Sequence, residues 1–153
     1  MTHLPKASTV FTLILATTVL RAQSMPIYDE KADAHQQIAE AISRASKSGK
    51  RIILDFGANW CGDCHALEAQ MQKPELAALI ARSFIVVNVD VGHMDKNTDL
   101  AQKYGVPLKK GIPGLAVLDS HGKLLYAQDQ GQFEDARSLS YETINAFFEQ
   151  WKP

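Results

Sequence analysis

Three apolar runs constrain the fold of this chain more than any other feature. Arg51-Ile52-Ile53-Leu54-Asp55-Phe56 and Phe84-Ile85-Val86-Val87-Asn88-Val89 are almost continuously apolar, and Gly114-Leu115-Ala116-Val117-Leu118 is wholly so. A strand with one wet face alternates apolar and polar residues, whereas a strand buried on both faces does not. Between the runs lie stretches with helical spacing. Ile38, Ala41, Ile42 and Ala45 recur on one helical face within residues 29–47, and Gly49 is a stop. Residues 61–72 carry Leu67 and Met71 one turn apart, and Pro74 suits the first position of a new helix over residues 75–82. Thr98 caps a short helix that runs to Lys103 and stops at Gly105. Ser120-His121-Gly122-Lys123 is a hairpin turn into a strand ending at Tyr126, and Ile144, Phe147, Phe148 and Trp151 mark a closing helix. The order α, β, α, α, β, α, β, β, α predicts an α/β fold, a mixed sheet with helices on both faces.

With 153 residues the chain suits one domain with a real core. Its 46% hydrophobic and 22% charged residues exclude disorder, since so apolar a chain offsets its ordering entropy. A formal net charge of −1 excludes a nucleic-acid binder that works by bulk electrostatics. Two cysteines can form neither a multi-bridge scaffold nor a Cys-rich zinc site. They are expected to act as one pair.

The first residues read as an address. Lys6 precedes an apolar run from Val10 to Leu20, about eleven residues where a membrane span needs about 20. Residues 1–22 fit a secretory signal peptide cut after Ala22, leaving residues 23–153 as the domain. Leu20 and Arg21 are unusual so near a cleavage site, and an uncleaved tether or a buried helix is the alternative. Export implies a periplasmic or secreted protein, in a compartment where a cysteine pair can cycle as a disulfide.

The pair itself is Trp60-Cys61-Gly62-Asp63-Cys64-His65, between a buried strand and a helix. Three residues of separation on a helix put both sulfurs on one side, close enough to bond. Cys61 falls at the helix N-terminus, where unpaired N–H groups and the helix dipole favour thiolate over thiol. Cys64 lies one turn further in and is more shielded. The outer sulfur is then the attacking one, and the inner sulfur resolves the mixed disulfide. A purely structural bridge would close too short a loop to stabilise much. Cys61-x-x-Cys64-His65 also matches a c-type haem attachment site, with His65 and either Met71 or Met94 as axial ligands. A copper-delivery module using Cys61, Cys64 and a histidine is a further alternative. His93 and His121 read as surface residues, and three ligands at metal spacing are not evident. No metal or organic cofactor is expected, because the dithiol is itself the redox group.

These residues resemble a known family. Asp55-Phe56-Gly57-Ala58-Asn59-Trp60-Cys61-Gly62-Asp63-Cys64 is similar to the active-site segment of thioredoxins, and Tyr104-Gly105 with Gly111-Ile112-Pro113 is similar to their second signature. The resemblance runs from about Ile38 to the C-terminus. It implies a thioredoxin fold and a thiol–disulfide oxidoreductase that acts on protein disulfides or dithiols and exchanges electrons with an upstream redox partner. It further implies a cis bond before Pro113, facing Cys61. Such a bond would expose the Ile112 backbone for edge-on pairing with an extended substrate. Asp55, buried in its apolar run, becomes the acceptor of the Cys64 proton. Trp60, Gly62 and Asp63 line the substrate surface.

Four departures from the thioredoxin pattern carry expectations of their own. Asp63 stands where proline is common. At about 7 Å and an effective dielectric near 40, its charge disfavours the Cys61 thiolate by about 1 kcal/mol. That is about 25 mV in a two-electron couple, small against a family range of about 150 mV. Asp63 also suits a helix start. The loop Val106-Pro107-Leu108-Lys109-Lys110 is longer than usual and is expected beside Cys61, with both lysines exposed. Gly57 replaces a tryptophan, so a more open wall is expected beside the pair. The proline that kinks the active-site helix is missing, with Ala69 in its place. The expected activity is disulfide reduction or exchange, with disulfide isomerisation as the alternative. No added dimerisation segment is evident, so a monomer is expected.

Overall fold

The computed structural model describes residues 26–153. The expected signal peptide at residues 1–22 lies outside the described residues. Helix α1 (Ala34–Ser48) leads to strand β1 (Arg51–Gly57), then α2 (Gly62–Met71), α3 (Pro74–Ser83) and β2 (Phe84–Asp90). Helix α4 (Thr98–Lys103) follows, and a 3₁₀ turn at Leu108–Lys110 precedes β3 (Gly114–Leu118) and β4 (Leu124–Ala127). A second 3₁₀ turn at Ala136–Ser138 precedes α5 (Tyr141–Trp151). The α and β order read from the sequence is the order found.

Local chemistry accounts for the helix ends. Asp33 caps α1 by accepting the Gln36 N–H at 3.1 Å. The helix therefore starts at Ala34 and not at residue 29, because the residues before the cap are held elsewhere, as described below. Gly49 ends α1 at φ +72°, a left-handed conformation that glycine adopts without strain, and returns its N–H to Ala45. Ser140 caps α5 through the Thr143 N–H.

The sheet order is β2-β1-β3-β4. β1 runs parallel to β2 and antiparallel to β3, and β4 is antiparallel to β3 with an irregularity at Val117/Leu118. Alternate residues feed opposite faces. Ile52, Leu54 and Phe56 of β1 join a core with α1, α4 and Ala116 and Leu118 of β3. Ile53, Leu115 and Val117 pack on the other face with Leu67, Leu76, Leu79, Ile144 and Phe148 from α2, α3 and α5. Burial of each such large side chain contributes about 1.5–3 kcal/mol, which is why both faces are covered. This is the mixed sheet with helices on both faces that the sequence implies.

Topology places the site. The C-terminal end of β1 runs into the residue 58–60 loop and α2. Because β3 is antiparallel to β1, its first residue, Gly114, pairs with Phe56 at that same edge. The Ile112-Pro113 segment therefore arrives beside the start of α2.

Candidate active site

Cys61 is the cap residue of α2, extended at φ −80° and ψ 112°, and its Sγ accepts the backbone N–H of Cys64 at 3.0 Å. The sulfur thus sits among the unpaired N–H groups of the helix start, where negative charge is favoured. The two sulfurs are joined as a disulfide, with Cα atoms 5.3 Å apart. Cys61 keeps 5% of its surface exposed and Cys64 1%. Cys61 is thus the less deeply buried of the two.

The Ile112–Pro113 peptide bond is cis. The Ile112 carbonyl oxygen lies 3.5 Å from Cys61 Sγ. Buried Gln128 braces this segment, accepting the Leu115 N–H at 3.1 Å and donating to the Pro113 carbonyl at 3.3 Å. A groove of about 790 Å³ adjoins it, lined by α4 residues, Met94 and residues 105–111. Lys109 and Lys110 are exposed at this groove. Lys110 Nζ donates to the Asp129 carbonyl and to Gln130 Oε1, so it also ties the loop to the segment after β4.

Asp55 is buried in the middle of β1, and burial pushes its carboxyl up to about 7. The Tyr28 hydroxyl donates to Asp55 Oδ2 at 3.1 Å and opposes that rise, while Glu68 adds to it. Among the described residues Asp55 Oδ1 has no hydrogen-bond partner. Gly57 does not leave the wall open as its lack of a side chain suggested. A Cβ there would overlap the Tyr28 hydroxyl and lie 2.9 Å from Cys64 Sγ. The space is filled by a tyrosine from the segment before α1, because a packed interior leaves no void of that size.

Asp63 is not an unpaired charge beside the pair. Arg137 grips it with Nε and Nη2 at 3.0 Å each, and the Arg137 backbone N–H adds a third bond at 3.0 Å. These bonds hold the Asp63 carboxyl below the usual carboxylate range. Gly62 lies directly under the Arg137 guanidinium. Trp60 is 55% exposed, donates its indole N–H to the Gly92 carbonyl at 2.8 Å and stacks on exposed His93 with ring centroids 5.8 Å apart. The His65 ring nitrogen meets the Asn59 carbonyl at 2.7 Å. Among the described residues no three of His, Cys, Asp and Glu gather as metal ligands.

Residues 33–120 match a protein-family model described as thioredoxin-like. The chain belongs to the thioredoxin-like family. Thioredoxin-1 of Drosophila yakuba is 32% identical over 92 residues, 60% of this chain and 73% of that protein. The protein disulfide-isomerase tigA of Aspergillus niger is 35% identical over 94 residues, and the chain spans 24% of its length. A solved structure described as a disulphide isomerase from Xylella fastidiosa is 42% identical with a TM-score of 0.78, covering 81% of this chain and 95% of that one. The oxidised C-terminal domain of Neisseria meningitidis DsbD shares the fold at TM-score 0.55 and 23% identity, over 79% of this chain and 97% of that one. With its bonded Cys61–Cys64 pair, the chain is a thiol–disulfide oxidoreductase of this family.

The thioredoxin-like site gathers the residues picked out in the sequence around one sheet edge. Cys61, Cys64, Gly62 and Asp63 sit at the start of α2, the Ile112 carbonyl faces Cys61, Asp55 bonds the Tyr28 hydroxyl that meets Cys64 across Gly57, and Trp60 is exposed. Tyr28, Gln128 and Arg137 escaped the sequence reading, and Asn59, though within the quoted active-site segment, was given no role. Each reaches the site through a polar bond from a segment with no periodic pattern. The vacancy at Gly57 was a usable signal for the first. An aromatic side chain had to fill it, and Tyr28 stood unplaced just ahead of α1.

Proposed function

We propose that this protein reduces or exchanges disulfides in client proteins outside the cytoplasm, with Cys61 as nucleophile and Cys64 as resolving thiol. The observation that carries this reading is the position of Cys61 Sγ. It caps α2 and faces the Ile112 carbonyl, in the less deeply buried residue of the pair.

In the reduced protein the Cys61 thiolate attacks one sulfur of a client disulfide. The client's other sulfur leaves as a thiolate, and a mixed disulfide forms. Cys64 then gives its proton to Asp55, and its thiolate attacks Cys61 Sγ. The second client sulfur leaves, so the client gains two electrons and the pair ends oxidised. An upstream dithiol partner must return those electrons. Ile112 and cis-Pro113 present backbone for an extended client, and Trp60, Gly62 and Asp63 form the neighbouring surface. The apolar groove next to Gly111 supports a polypeptide client over a small disulfide.

A second reading, disulfide isomerisation, is favoured by the 42% identity to the Xylella fastidiosa structure. Cys64→Ala separates the two. It should abolish net insulin reduction in both cases, and retained shuffling of a scrambled client would identify the isomerase. If Cys61→Ala retains insulin reduction, the proposed chemistry is wrong. Export rests on residues 1–22 and predicts a mature protein beginning at Gln23. Mass spectrometry of the periplasmic fraction and the medium tests it, and size-exclusion chromatography tests the expected monomer.

A further inference from the structure

We propose that Tyr28 is a positioning residue for the resolving step, its hydroxyl holding the Asp55 carboxylate against the Cys64 side of the site. The inference rests on Asp55 as the proton acceptor and adds what orients it.

Tyr28 precedes residues 33–120, so the family match does not include it. Its side chain is completely buried and its hydroxyl donates to Asp55 Oδ2 at 3.1 Å. The residue is fastened on both sides. Its backbone N–H donates to Asn59 Oδ1 at 3.0 Å, and Asn59 Nδ2 donates back to the Tyr28 carbonyl at 2.8 Å. Asn59 belongs to the loop that carries Cys61. The preceding carbonyl, of Ile27, accepts from Asn88 Nδ2 on β2 at 3.0 Å. These bonds fix the ring relative to the cysteine loop and the sheet together.

Gly57 makes the approach possible. A Cβ at that position would meet both the Tyr28 hydroxyl and, at 2.9 Å, Cys64 Sγ. Phenol oxygen and resolving sulfur therefore crowd the same α-carbon, with Asp55 bonded to the phenol. A tyrosine kept only as filler would serve equally well as phenylalanine, since a buried hydroxyl needs a partner to offset its desolvation. Burial and the negative charge of Asp55 both hold the phenol proton in place, so Tyr28 stays a donor throughout the working pH range. With Oδ2 engaged, the unpartnered Oδ1 is the atom left to receive the Cys64 proton. The other charged groups that reach this cluster are Glu68 on α2 and Asp90 at the end of β2, and Asp90 is paired with Lys96 at 3.1 Å.

The test uses the full mature chain, with Tyr28→Phe and Asp55→Asn as variants. Carbon-13 NMR titration of the oxidised proteins reads the Asp55 midpoint, assigned by its disappearance in Asp55→Asn. Loss of a hydrogen bond to the charged form should raise that midpoint in Tyr28→Phe by about one pH unit. Reaction of the reduced proteins with an aryl disulfide that releases a coloured thiolate gives two phases, attack by Cys61 and resolution by Cys64. In Tyr28→Phe the second phase at pH 7 should slow several-fold and recover at pH 9, with the first phase unchanged. An unmoved Asp55 midpoint with an unmoved second phase overturns the role of Tyr28. If Asp55→Asn resolves as fast as wild type, Asp55 is not the acceptor, and the underlying reading fails instead. Should Tyr28→Phe not fold, replacement of all four tyrosines by 3-fluorotyrosine keeps the ring and strengthens the donor. The midpoint should then fall, and a rise or no change would overturn the proposal.

Discussion

Replacing Asp55 by asparagine should favour the folded oxidised protein more at pH 8 than at pH 4. The carboxyl is buried, and its folded-state midpoint is raised from 3.8 to about 7. In the unfolded chain it loses its proton near the ordinary value. Between those limits the folded state binds more protons than the unfolded state, so stability falls as pH rises. Each unit of separation corresponds to about 1.4 kcal/mol, and the full window to about 4 kcal/mol. Below pH 4 both states are protonated and the carboxyl costs nothing extra. Above about pH 7 both are ionised and the cost is constant.

Asparagine cannot ionise, and its side-chain oxygen can still accept from the Tyr28 hydroxyl. Its buried NH₂ group adds a pH-independent cost, so the difference between two pH values is the clean readout. Urea unfolding at pH 4 and pH 8 measures it. With a slope of about 2 kcal/mol per molar, the advantage of Asp55→Asn should grow by about 2 M in midpoint between the two. All other titrating groups are common to both proteins and cancel. An equal advantage at both pH values would refute the reasoning, because the buried carboxyl would then carry no raised titration.

Two further perturbations follow from close contacts at the site. Gly57→Ala places a methyl group against the Tyr28 hydroxyl and Cys64 Sγ, and should destabilise the oxidised protein by about 2 kcal/mol in thermal unfolding. Arg137→Ala uncovers the Asp63 charge at the start of α2 and should raise the Cys61 thiol midpoint, slowing iodoacetamide alkylation at pH 6. Adding Asp63→Asn to that variant should restore the rate, and failure to restore it would show that Arg137 acts on Cys61 by some other route.

What the sequence made legible is local. Continuous apolar runs marked the buried strands, Gly49 marked a helix end, and the three-position separation of the cysteines set the sulfurs on one side of a helix, whereas Asn97 and not Thr98 is the cap residue of α4. Asp55 stood out because a carboxylate inside an apolar strand needs a reason. The site's supports were hidden for the opposite reason, since their partners are far apart in the chain. Tyr28 meets Asp55 across 27 positions and Arg137 meets Asp63 across 74. No periodicity links such pairs, and the segments around Tyr28 and Arg137 are irregular. Asp63 is the helix-start acid the sequence allowed, but treating its charge as unpaired beside Cys61 failed because its guanidinium partner is supplied by a distant 3₁₀ turn. Reading Gly57 as an opening failed because interiors are filled by whichever side chain reaches them. Both corrections have one physical root. The apolar layers of this fold tolerate many sequences, but most buried or half-buried polar atoms around the site need a particular partner, Asp55 Oδ1 being an exception. Tyr28, Asn59, Gln128 and Arg137 supply such partners to Asp55, Tyr28, the Pro113–Leu115 backbone and Asp63.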